Sequence, residues 1–163
     1  MRPLRSSAPV QLTHRVDGAL LVDLRVDDPR TAYFTEHPEF ATVAVADPSA
    51  APGLTTVWTD DAEAMREAVR ALAELGHRRI ARVAGLPGLA HTQIRDAAFR
   101  EETAALGCEG LLLRTDYSPE QGVAVTEEAL RRPDAPHGLR VRQRHHGDRS
   151  PRCPAALGRA LPG

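Results

Sequence analysis

The sequence has no lysine: all 21 basic residues are arginine, a bias that reads as GC-rich coding rather than as phosphate binding. Cysteine is almost as scarce. Cys108 and Cys153 lie far apart and in no C-x-x-C or Cys/His ligand spacing, so neither a disulfide framework nor a zinc site is expected. Two spare thiols fit a reducing compartment. Aromatic residues make up only 4% of the chain, and no apolar run approaches the roughly 18–20 residues needed to cross a bilayer. The opening residues carry arginines but no apolar h-region, so no export signal is read and the expected address is cytoplasmic. At 163 residues the chain has room for one domain at most.

What is present falls into three parts. Residues 1–15 read as an irregular N-terminal segment, 16–136 as an α/β unit and 137–163 as an irregular basic tail. The tail holds six arginines (Arg140, Arg142, Arg144, Arg149, Arg152 and Arg159) against the single acid Asp148, whereas the chain as a whole carries a formal charge of −1. The two regions therefore differ in kind.

Within 16–136, strand-like and helix-like pieces alternate, which predicts a parallel sheet with flanking helices. Val16–Asp23, Thr42–Ala46, Val57–Trp58, Ile80–Ala84 and Leu111–Arg114 read as short strands. A short helix opens at Asp28 and Pro29. The clearest helix runs from Asp60 to Leu75, with Met65, Ala68, Val69, Leu72 and Leu75 on one face. Asp60 is placed to cap it, Glu63 stands at the capping-box position, and Gly76 can take the left-handed conformation that ends it. Thr92–Leu106 reads as another helix closed by Gly107. Ser118-Pro119-Glu120-Gln121 is a capping box for a last helix that Pro133 blocks.

No nucleotide-binding or nucleophile motif is complete. Gly85-Leu86-Pro87-Gly88, between a strand and a helix, has room to cradle a phosphate on backbone N–H groups, which leaves a small phosphate-binding α/β enzyme as an alternative. The full G-x-x-x-x-G-K-[ST], G-x-G-x-x-G and G-x-S-x-G patterns are absent, so turnover is not expected.

Val57 to Gly85 (VWTDDAEAMREAVRALAELGHRRIARVAG) resembles the signature run of the LacI/GalR family of transcriptional regulators. Leu75-Gly76-His77-Arg78-Arg79-Ile80-Ala81 matches it residue by residue. Val16–Val22 (VDGALLV) resembles the family's preceding strand. Arg95-Asp96-Ala97-Ala98-Phe99 resembles its arginine-x-x-glycine-aromatic element, with Ala98 where the glycine usually stands. The resemblance implies part of a periplasmic-binding-protein-like sensor domain, with a ligand cleft between two α/β halves at the carboxyl ends of the strands. It implies a small-molecule effector of carbohydrate type, no cofactor and no metal, a homodimer, and contact with operator DNA only through a helix-turn-helix head that has no counterpart before Val16. A solute-binding protein of the same fold is the other alternative, disfavoured by the missing export signal.

Arg95 matches the family arginine that grips effector hydroxyls with its planar fork of donors. His91, one turn earlier, shares that face, and Asp23, at the end of the first strand, is a third candidate ligand contact. On the residues alone, Arg95 reads first as a solvated helix arginine, and His91 reads equally as a surface or capping residue. Asp60 and His77 match the family but are accounted for as a helix cap and a turn residue.

After Pro136 the regular pattern stops. Codons for His137–Arg149 read one base later can give TAFVYDNDIMAI, which resembles the family's next strand and acidic loop, so the tail is expected to be out of frame. A basic arm binding phosphates is the rival reading, and a metal site at His145, His146 and Cys153 is a weaker one. No packed element is expected there.

Overall fold

The computed structural model describes residues 16–131 and 138–141. The rest of the basic tail lies outside the described residues, as do the readings of it as an out-of-frame segment, a phosphate-binding arm or a metal site. In chain order the elements are β1 (Gly18–Leu21), α1 (Pro29–Glu36), β2 (Ala41–Val45), a 3₁₀ turn (Pro48–Ala50), β3 (Thr55–Val57), α2 (Asp61–Glu74), β4 (Arg79–Ala84), α3 (Ala90–Ala105), β5 (Glu109–Arg114), α4 (Pro119–Arg131) and β6 (Gly138–Val141). Two parallel three-stranded sheets result, ordered β1-β2-β3 and β5-β4-β6.

β6 corrects the expectation of a wholly irregular tail. Gly138–Val141 pair with Ile80–Val83 along the edge of β4 away from β5. An open edge presents a row of backbone donors and acceptors, and a short extended segment can satisfy them even without a strong apolar signal of its own.

α2 forms as its ends direct. Asp60 accepts a hydrogen bond from the Glu63 N–H at 2.8 Å, and Gly76 takes φ +88° just past the C-cap. Met65 and Val69 face inward and join Ile80, Ala98, Phe99 and Cys108 in the core of the second half. Leu75, expected on that same face, is instead the C-cap and is 71% exposed, because the helix has ended before the apolar stripe reaches it. The α2–α3 pair covers one face of the β5-β4-β6 sheet, through Ile80 on β4 and Leu112 on β5.

The first half is smaller. Leu21, Leu24, Ala44 and Ala51 form its core, with Phe34 of α1 and Leu54 packed against them. The opposite face of the β1-β2-β3 sheet is open: Leu20, Val45 and Val57 are 65%, 47% and 61% exposed. The halves meet where the loop after β1 crosses the loop before α3. Arg25 and Leu89 form an antiparallel bridge, with Val26 N–H donating to Gly88 O at 3.2 Å and Ala90 N–H to Leu24 O at 2.9 Å.

Candidate functional site

The carboxyl ends of β4 and β5 converge on one cluster. Past β4 comes Gly85, and past β5 come Thr115, Asp116 and Tyr117. Thr115 continues the pairing for one more step, its N–H and hydroxyl both donating to Ala84 O at 2.8 and 3.0 Å. Asp116 accepts from Ser118 N–H at 2.8 Å; the hydrogen bonds from Ser118 hold its carboxyl below the usual carboxylate range. The chain then turns through Tyr117 at φ +71°, a left-handed conformation uncommon outside glycine. That turn lays the phenol ring over Gly85, where a Cβ would stand 1.9 Å from the ring carbon bearing the hydroxyl. Only glycine lets the ring lie there.

From that position the Tyr117 hydroxyl reaches the first turn of α3. It lies 3.1 Å from His91 Nε2 and 3.0 Å from Thr92 Oγ1. His91 is half-buried and Thr92 fully buried, so a phenol, an imidazole and a hydroxyl sit together at the strand ends. Each can both donate and accept a hydrogen bond. One turn along, Arg95 Nη2 donates to Asp61 Oδ1 at the start of α2, with the two side chains 14% and 19% exposed. Arg95 Nη1 is buried without a hydrogen-bond partner. Next in sequence, buried Asp96 stands between two arginines, 3.0 Å from Arg82 Nη2 on β4 and 2.5 Å from Arg114 Nη1 on β5.

Of the three residues singled out in the sequence, His91 and Arg95 stand one turn apart on α3, His91 bound to Tyr117 and Arg95 to Asp61. Asp23 lies on the other half, after β1, at φ +51°. Its carbonyl accepts from Arg30 Nη2 at 3.4 Å, and its carboxylate makes no hydrogen bond among the described residues. Thr92 and Tyr117 were not anticipated. Tyr117 carried one signal, an aromatic residue between the end of a strand and a capping box, where loops at the carboxyl edge of a parallel sheet place ligand contacts.

Around the Gly85–Gly88 loop, two of the amides that open α3 are already taken and Gly85 is covered. Leu89 N–H donates to Leu86 O at 3.3 Å and Ala90 N–H to Leu24 O, while the Tyr117 ring covers Gly85. A phosphate there needs free amides and open approach.

No family model matches the chain. It is similar to the HTH-type transcriptional regulator CelR of Thermobifida fusca, 34% identical over 125 residues, covering 73% of this chain and 36% of that protein. The crystal structure of a LacI family transcriptional regulator from Bifidobacterium animalis subsp. lactis superimposes with a TM-score of 0.74 at 42% identity, covering 77% of this chain and 46% of that one. A regulatory protein of LacI family from Chloroflexus aggregans gives 0.67 at 26% identity, with 77% and 46% covered. The chain thus spans about a third of the curated relative and just under half of the solved ones.

Proposed function

We propose that the chain, similar over about three quarters of its length to regulators of the LacI family, is part of such a regulator's sensor domain and supplies one wall of an effector site for a hydroxyl-rich small molecule of carbohydrate type. The observation that carries this reading is the convergence of Tyr117, His91 and Thr92 at the ends of β4 and β5, with Arg95 one turn behind. Each group exchanges hydrogen bonds readily with hydroxyls, and the tyrosine ring offers an apolar face of the kind on which the C–H face of a sugar packs.

In this reading His91 and Arg95 contact the effector directly, and Asp23 approaches from the other half when the halves close. Arg95 has one free N–H set, at Nη1, while Asp61 fixes the orientation of its fork. An effector that contacts both halves favours the closed arrangement by its difference in affinity for closed and open forms. In a homodimer bearing helix-turn-helix heads, that difference changes how the heads meet operator DNA. The chemistry is binding; no bond is made or broken.

The test is calorimetric titration with a panel of mono- and disaccharides against the wild-type chain and the variants His91→Ala, Arg95→Met and Tyr117→Phe. A saccharide that binds wild type should bind each variant at least about fivefold more weakly, the loss expected from about 1 kcal/mol of hydrogen bonding. If the affinity of a bound saccharide is unchanged across all three variants, the site lies elsewhere. The chain alone should leave no specific footprint on DNA.

A further inference from the structure

On the outward flank of α3, away from the Tyr117 cluster, lies a cavity of about 910 Å³, a size ordinary for small-molecule sites. It runs along α1 as an open groove lined on the far side by Pro52 and by Gln93 and Ile94 of α3, so both halves of the chain contribute to it. None of Asp23, His91, Arg95 and Tyr117 lines it.

Among the described residues, the charges on its wall are all of one sign. Asp27, Asp28 and Glu36 line the cavity, and among the described residues no basic one does. Asp28 is neutralised by Arg30, whose Nε and Nη2 donate to its two oxygens at 2.9 and 2.8 Å. Asp27 and Glu36 make no hydrogen bond or ion pair among the described residues. Asp27 lies just before the N-cap of α1 and Glu36 is its last residue, so the helix itself, about 10 Å from Pro29 to Glu36 at the helical rise, separates them. Between them the wall is apolar, built from Pro29 and Ala32 on one side and Pro52 and Ile94 on the other. Thr31, a wall residue 6% exposed, carries a buried Oγ1 with no hydrogen-bond partner.

We propose that this cavity binds an extended aliphatic polyamine, with one ammonium group at Asp27, another at Glu36 and the methylene chain along Ala32, Pro52 and Ile94. A single compact cation cannot meet both carboxylates, and a neutral ligand gains no charge-assisted contact from either. A linear molecule charged at both ends and apolar between reproduces the order of the wall. Because α1 belongs to the first half and α3 to the second, the bound polyamine ties the halves together. The site is separate from the effector wall and does not depend on that reading.

The test is calorimetric titration of the full chain with spermidine, with n-hexylamine as a probe of similar apolar length and one charge. Spermidine should bind saturably, at least about tenfold more tightly than hexylamine, the separation that one further charge-assisted contact supplies. Glu36→Gln and Asp27→Asn should each bring spermidine down to the hexylamine level. Asn suits the left-handed φ of +54° at position 27, so the second change leaves the loop intact. Ala32→Trp, which fills the groove, should abolish binding. Glu74→Gln, an exposed acid on α2, should leave it unchanged. The proposal is overturned by no saturable spermidine binding at millimolar concentration, by equal affinity for hexylamine, or by an equal loss in Glu74→Gln, which marks diffuse surface attraction.

Discussion

A single buried carboxylate organises the loop that joins the halves. Asp28 is 6% exposed and accepts from the N–H groups of Arg25 and Arg30, each at 3.0 Å, and from the Arg30 guanidinium. The hydrogen bonds from Arg30 hold its carboxyl far below its ordinary value of 3.8, against the opposing effect of burial. The ionised form is therefore favoured by folding, and the sign of the pH dependence follows. The stabilisation is complete above the unfolded value of 3.8 and is lost as pH falls below it toward the folded value. Asp28→Asn should cost about 1.5–3 kcal/mol at pH 7, the range for hydrogen bonds to charged groups, because the amide keeps one acceptor and loses the charge. Urea denaturation at pH 7 and pH 3 checks it: the gap between wild type and variant should narrow at the lower pH. A gap that stays constant would mean that Asp28 acts through its shape and not through its ionisation.

At the scale of elements, helix ends were legible in the sequence wherever a side chain makes the cap. Asp60 and Gly76 bound α2, and Ser118 accepts from Gln121 N–H at 3.3 Å at the start of α4, one half of a capping box, while Gln121 Oε1 accepts from Asp116 N–H in place of Ser118 N–H. The start of α3 was misplaced by two residues for a physical reason. Its N-cap, Leu89, contributes no side-chain hydrogen bond, and the first helical N–H, Ala90, is satisfied by the Leu24 carbonyl of the other half. A start fixed by a tertiary contact leaves no local residue pattern to read. The same contact allows a clean test. Ala90 is the first helical residue and Leu89 is extended at φ −86°, ψ 134°, so proline fits at position 90 without disturbing α3. Ala90→Pro removes the donor to Leu24 and nothing else in the helix. Helix content by circular dichroism should be unchanged, while amide exchange at Val26, across the Arg25–Leu89 bridge, should quicken. Unchanged exchange at Val26 would show that the two halves are held together by other contacts.

For the molecule as a whole, the alternation of strands and helices conveyed the parallel α/β class, but not that the chain builds two separate small sheets. Period and composition identify elements; which strands pair depends on contacts distant in sequence. The site divides in the same way: the resemblance to the family singled out Arg95 and helical spacing added His91, whereas Tyr117 enters through a turn at φ +71° that makes the chain fold back over Gly85. Two sheets of three strands also set the stability. Parallel sheets are normally covered on both faces, yet Leu20, Val45 and Val57 stand open on one face of the first sheet, while α1 and the loops near Ala51 and Leu54 cover the other. That open face adds nothing to the folded state and attracts apolar molecules. The chain should therefore show no cooperative thermal transition above about 50 °C, within the range of mesophilic domains, and should bind an environment-sensitive apolar dye while folded. Leu20→Gln and Val57→Thr together should lower the dye signal and change stability by less than about 0.5 kcal/mol per site, as expected for surface positions. Val69→Ala, in the α2–α3 core at 2% exposure, should cost about 2 kcal/mol and leave the dye signal of the folded protein unchanged. If the pair on the open face is as costly as the core change, that face is covered in solution, and the excess cost measures the packing it makes there.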